Sequence, residues 1–165
     1  MQELYSSDHQ ITVQDVPDEI SLAISLSGCP LHCPGCHSSF TWDPTFGELL
    51  TDERFNQELD QNPHISCVLF YGGEWKIERL HELIEIAKNR GLKVCLYTGL
   101  TLELVQKLDK TLLDVLDYIK VGPFRQELGP LNMSTTNQRM YRITHEEGEN
   151  KLEDITKIFQ RKIEL

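Results

Sequence analysis

Four short apolar runs in this 165-residue chain end at glycine, and helical spacing follows the second and third of them. Ile20, Leu22, Ile24 and Leu26 alternate with Ser21, Ala23, Ser25 and Ser27, which reads as a strand with one apolar and one small face, running into Gly28. Cys67-Val68-Leu69-Phe70-Tyr71 is a buried-strand pattern that ends in Gly72-Gly73-Glu74. Ile77, Leu80, Leu83, Ile84 and Ala87 then recur at helical spacing, and Gly91 stops the helix. The unit repeats as Leu92 to Tyr97 ending at Thr98-Gly99, a helix using Leu102, Val105 and Leu108, and Tyr118 to Val121 ending at Gly122-Pro123. Strands joined by right-handed helical crossovers lie parallel, so their carboxyl ends emerge on one edge, where open α/β sheets and barrels bind ligands. The expectation is an α/β fold with a mostly parallel sheet and flanking helices. Its rim gathers the loop after Gly28, Gly72-Gly73-Glu74, Tyr97-Thr98-Gly99 and Gly122-Pro123-Phe124.

Three of the five cysteines crowd into that first rim loop, Gly28-Cys29-Pro30-Leu31-His32-Cys33-Pro34-Gly35-Cys36-His37. The C-x3-C-x2-C spacing sets three thiolates on one tight loop, enough for three corners of a cubane iron-sulfur cluster. Clusters that only carry electrons usually take four cysteines. Three leave one iron open to a ligand, much as a catalytic zinc keeps an open position. Other chemistries use parts of the same loop: Cys33 to His37 matches c-type haem attachment, Cys33 with Cys36 a thioredoxin-like pair, and the three thiolates with His32 or His37 a structural zinc site. Haem attachment belongs to exported proteins, the redox pair leaves Cys29 unused, and zinc knuckles usually draw their fourth ligand from a second short motif that the chain does not show. Cys67 and Cys95 sit inside strand patterns and read as core residues.

The chain length fits one domain over residues 1–165. No apolar stretch approaches the length a bilayer requires, and the N-terminal residues lack the basic start and apolar run of a signal peptide, so a cytoplasmic location is expected. A formal net charge of -10 would repel a phosphate backbone, which argues against nucleic acid as a partner. The segment from Leu128 to Tyr141 is polar and poorly periodic and reads as an ordered loop. Residues from about 145 to 165 read as an added amphipathic helix: Asn150 with Glu153 resembles a capping box, and Leu152, Ile155, Ile158, Phe159 and Ile163 approximate one stripe.

The cysteine loop followed by a Gly-Gly-Glu turn resembles the radical S-adenosylmethionine (SAM) superfamily. Within it, Ser27-Gly28-Cys29, the stretch Cys33 to His37, Thr41-Trp42, Gly122-Pro123-Phe124 and Thr136-Asn137-Gln138-Arg139 resemble the anaerobic ribonucleoside-triphosphate reductase-activating proteins, over about residues 10–143. Trp75 stands where proline often follows Gly-Gly-Glu, and Val121 where the subgroup often has aspartate. The resemblance implies a partial (β/α) barrel of radical SAM type. It implies a [4Fe-4S] cluster on Cys29, Cys33 and Cys36, with SAM on the open iron. Gly72, Gly73 and Glu74 would then receive the amino group of SAM, His37 its adenine, and Thr98 its sugar or carboxylate. The implied activity is reductive cleavage of SAM to form a glycyl radical on an anaerobic reductase, with flavodoxin or ferredoxin as electron donor. Two further readings share parts of this pattern: a radical SAM enzyme acting on another glycyl-radical protein or a small molecule, and a non-catalytic zinc-binding interaction module.

Overall fold

The computed structural model describes residues 2–36 and 38–160. Eight strands form one sheet: β1 (Tyr5–Thr12), β2 (Ser21–Leu26), β3 (Glu48–Leu49), β4 (Cys67–Tyr71), β5 (Lys93–Tyr97), β6 (Tyr118–Val121), β7 (Arg139–Glu146) and β8 (Glu149–Asp154), in the order β3-β1-β2-β4-β5-β6-β7-β8. The four glycine-ended runs are β2, β4, β5 and β6, and they pair in parallel at the centre. Their register sets Ser25, Tyr71, Tyr97 and Lys120 in one row across the sheet near its carboxyl edge.

Helices α1 (Asp52–Gln61), α2 (Ile77–Asn89), α3 (Leu102–Leu108) and α4 (Leu112–Val115) complete the α/β pattern. Leu22, Ile24, Val68, Phe70, Val94, Leu96 and Ile119 share one core with Phe55, Leu80, Leu83, Ile84 and Val105 from these helices. On the other face Ala23, Cys67, Leu69, Cys95 and Tyr118 are covered by Val16, Leu131 and Ile155 from irregular segments. A sheet covered on both faces explains the near-continuous apolar runs. It also explains why both faces of β2 are buried, while Ile20, just before the strand, is exposed. Thr51 and Thr101 cap α1 and α3 by accepting from Arg54 N–H and Leu104 N–H. Gly91, at φ +77°, ends α2 in the left-handed region, as its position after Asn89-Arg90 indicated.

Two expectations require correction. The sheet is mixed rather than mostly parallel, because β1, β3, β7 and β8 all pair antiparallel, and it stays open with β3 and β8 as its edges. The expected C-terminal helix is instead the second arm of a hairpin, β8, followed by a 3-10 turn at Thr156–Gln160. Glu147 and Gly148 both adopt positive φ, the geometry of a two-residue hairpin turn, and bring Leu152 opposite Ile143. Asn150 caps no helix: its side-chain N–H donates to Asp114 Oδ1 (2.6 Å). Ile163 lies outside the described residues. Among the described residues no helix is long and apolar enough to cross a membrane.

Candidate functional site

The cysteine loop leaves β2 through Gly28, whose φ of +111° favours glycine. Gly28 N–H and Cys29 N–H both donate to Thr41 O, at 2.6 and 3.2 Å, so the 3-10 turn Ser39–Trp42 holds the base of the loop. Cys36 N–H donates to Cys33 O at 3.0 Å, and Ser38 N–H to Cys36 Sγ at 3.3 Å. His32, in the left-handed region, stacks on Trp42 with ring centroids 4.3 Å apart. Cys29, Cys33 and Cys36 are half-buried free thiols. Burial pushes the Cys29 thiol up, although the Leu31 backbone N–H opposes this, and the Glu74 carboxylate adds to the rise. An iron ion would reverse that balance by replacing the proton.

The three thiols line one cavity of about 170 Å³ over the carboxyl ends of the parallel strands. Its floor carries Tyr71, Tyr97 and Lys120 from the row across the sheet, and Gly72, Glu74, Thr98 and Gln138 contribute to its walls. The rings of Tyr71 and Tyr97 meet edge to face at 5.3 Å, and Lys120 Nζ lies 4.6 Å from the centre of the Tyr97 ring. Desolvation by the packed floor pushes the Lys120 pKa down.

Glu74 is the buried acid of the site, 4% exposed. Its Oε1 accepts from Thr98 Oγ1 at 2.9 Å, while its buried Oε2 has no hydrogen-bond partner. Burial raises its pKa, as expected for a carboxylate short of compensating donors. Thr98, bonded through its hydroxyl to Glu74 and accepting from Leu100 N–H, positions that acid. Gly72 lines the cavity, whereas Gly73 turns toward the core, where a Cβ would meet Leu26. His37 lies outside the described residues.

Trp75 joins the two halves of the site. Its Nε1 donates to Ser27 O at 3.0 Å, and its ring lies where a Cβ on Gly28 or Gly72 would have to go. The sequence marked Trp75 only as a departure from proline. Lys120 and Gln138 were not identified as cavity residues either. Lys120 could have been found by noting that a charge alternating with Ile119 and Val121 must face the side opposite the helices. Cys67 and Cys95 are fully buried, as their strand positions indicated, and desolvation pushes the Cys67 thiol up to about 12.

Among the described residues no group of three His, Cys, Asp or Glu side chains is drawn together closely enough to hold a single metal ion. Three thiols lining one cavity are a soft donor set of the kind that holds iron-sulfur clusters. The unpartnered Glu74 oxygen calls for a donor such as an ammonium. The donor set therefore fits an iron-sulfur cluster with a cationic ligand beside it.

That site and fold define an iron-sulfur protein of the α/β class. The chain belongs to the family of 4Fe-4S single cluster domains, which matches residues 20–144. It is also similar to the 7-carboxy-7-deazaguanine synthase of Hyperthermus butylicus, with 34% identity over 81 residues, 48% of this chain and 34% of that protein. The 7-carboxy-7-deazaguanine synthase of a Synechocystis species shares 35% over 77 residues, 46% of this chain and 36% of its own length. The matched stretch thus spans about a third of these relatives. Family and relatives support membership of the radical SAM superfamily, with a [4Fe-4S] cluster and SAM as cofactors.

Proposed function

We propose that this chain is a radical SAM activating enzyme that forms a glycyl radical on the anaerobic (class III) ribonucleotide reductase. The observation that carries this reading is the convergence of Cys29, Cys33, Cys36 and the unpartnered Glu74 oxygen on one cavity at the carboxyl edge of an open sheet. When bound, the cluster and SAM would supply one-electron reductive cleavage of SAM and, through it, hydrogen-atom abstraction from the target glycine.

The chain's own residues bind, orient and shield. Cys29, Cys33 and Cys36 would hold three irons and leave the fourth to the amino and carboxylate groups of SAM. Glu74 Oε2 would accept from an N–H of that amino group, with Thr98 fixing the carboxyl plane through Oε1. Gly72 lets backbone approach that group closely. His37 is assigned to the adenine from the resemblance alone. A second hollow, about 760 Å³, adjoins the site through Tyr97 and Lys120 on the helix-free face, and its walls include Val13, Pro17, Leu131 and Phe159. An open sheet with such an entrance suits a loop of another protein better than a sealed small-molecule pocket does. The Gly-Pro-Phe and Asn-Gln-Arg segments favour the reductase as that protein. The expected setting is cytoplasmic, with flavodoxin or ferredoxin as the electron source.

The curated relatives favour a second reading, a radical SAM enzyme acting on a small molecule in the manner of a 7-carboxy-7-deazaguanine synthase. Anaerobic loading with iron and sulfide, then reduction with dithionite in the presence of SAM and the reductase, separates the two. The activase reading expects 5′-deoxyadenosine together with a glycyl-radical doublet by electron paramagnetic resonance. SAM cleavage with no radical on the reductase overturns it and leaves the small-molecule reading.

A further inference from the structure

Arg54, Arg79, Arg90 and Arg142 each hold a carboxylate. Arg125 and Arg139 do not: among the described residues neither has an ion-pair partner, and both are exposed. They line the same hollow, about 610 Å³, with Leu102, Pro123 and Tyr141, where Glu103 supplies the single carboxylate. Gly122 belongs both to this hollow and to the cysteine-lined cavity, so the free guanidinium groups stand just outside the cluster wall. On a chain of formal net charge -10, these two guanidinium groups beside the one Glu103 carboxylate leave the hollow with a local excess of positive charge.

We propose that the Arg125–Arg139 face docks an acidic one-electron carrier protein that reduces the cluster. The inference rests on the radical SAM reading above. One electron passes from the carrier's reduced cofactor to the cluster, and the carrier leaves oxidised by one electron. Two considerations select a carrier over the protein substrate. In the reading above the substrate reaches SAM through the hollow at Tyr97 and Lys120, on the helix-free face, whereas the arginine hollow is built from α3 and from the side of β6 on which Val121 packs in the helix core. A carrier need only approach the cluster closely, and access from a separate face lets electron delivery proceed while SAM and substrate remain seated. An acidic carrier would also be repelled by most of this surface, so unpaired cations confine its encounter to one orientation.

The test uses an acidic flavodoxin as probe and two double variants, Arg125→Glu with Arg139→Glu and Arg125→Lys with Arg139→Lys. Charge reversal is expected to raise the flavodoxin Kd on the order of tenfold at low ionic strength and to flatten its salt dependence. The lysine pair should retain both properties. In the loaded enzyme, 5′-deoxyadenosine formation driven by reduced flavodoxin should slow in the glutamate pair, while formation driven by dithionite stays at the wild-type rate. An unchanged Kd and salt slope in the glutamate pair overturn the docking face. Should dithionite release no 5′-deoxyadenosine from the loaded wild-type protein, the radical SAM reading itself falls, and the flavodoxin Kd still decides the docking face.

Discussion

Glu74 is held ready for a charge that the protein itself does not supply. Oε1 is bonded to Thr98 and Oε2 is buried without a hydrogen-bond partner, so burial raises the carboxyl pKa and a cationic ligand would favour its ionised form. Glu74→Gln should weaken SAM binding by about 1.5–3 kcal/mol, the range for a hydrogen bond to a charged group. Titration calorimetry on the loaded protein reads this directly. The unliganded chain should respond in the opposite sense. Because the folded-state pKa of Glu74 lies above its unfolded value, the folded chain binds more protons between the two, and stability falls as pH rises through that window. Urea midpoints across the acid range should show this fall in the wild type and lack it in Glu74→Gln. An equal pH dependence in both would mean that Glu74 is not the titrating group. The cysteines and Glu74 were legible because thiolates at fixed spacing and an acid after two glycines have few structural uses. Lys120 was hidden because a single lysine in a strand looks the same in sequence whether it faces water or a cavity.

The elements that carry the site are locked to each other by Trp75. Its ring occupies the space of a Cβ at both Gly28 and Gly72, and the ideal Cβ at Gly28 falls 2.7 Å from Trp75 Nε1. Gly72→Ala should destabilise by about 1–3 kcal/mol through overpacking. Trp75→Ala relieves that clash, so the double variant should be more stable than the sum of the single effects by at least about 0.5 kcal/mol, the coupling expected of residues in contact. Strict additivity in urea unfolding would show that the ring and the glycine do not meet. The tail tests a different element. Thr156 is 1% exposed, and its Oγ1 accepts from the Met140 N–H of β7 at 2.9 Å. Thr156→Val keeps the shape but leaves that N–H unpaired, and should cost about 1–3 kcal/mol. The central strands were readable because parallel strands buried on both faces leave apolar runs, and their glycine ends share one phase. The tail was misread because Asn150 and Glu153 mimic a helix cap. The decisive signal, positive φ at Glu147 and Gly148, depends on a non-glycine residue that rarely adopts it.

At the scale of the molecule, the two ends of the parallel strands divide their duties. The carboxyl ends hold the cavity, its unpaired acid and its two approaches, whereas the amino ends are tied by Glu19. This buried carboxylate accepts from Ser66 Oγ at 2.5 Å and from Tyr118 OH at 3.4 Å, and pairs with Lys93 Nζ at 3.0 Å. It therefore links the starts of β4, β5 and β6 to the segment entering β2. Its hydrogen bond holds the Lys93 pKa above the ordinary lysine value, so that contribution is complete at neutral pH and disappears only as pH rises past the lysine range. Glu19→Ala leaves the Tyr118 hydroxyl without that acceptor and the Ser66 hydroxyl with only its long bond to Ile20 O (3.4 Å), and should lower stability by about 1–3 kcal/mol. SAM affinity of the loaded protein should be unchanged, because the length of the parallel strands separates Glu19, at their amino ends, from the cavity at their carboxyl ends. A matching loss of SAM affinity would mean that the strand register, and with it the row Ser25, Tyr71, Tyr97 and Lys120, is set from the amino ends. In that case the division of duties between the two ends would not hold.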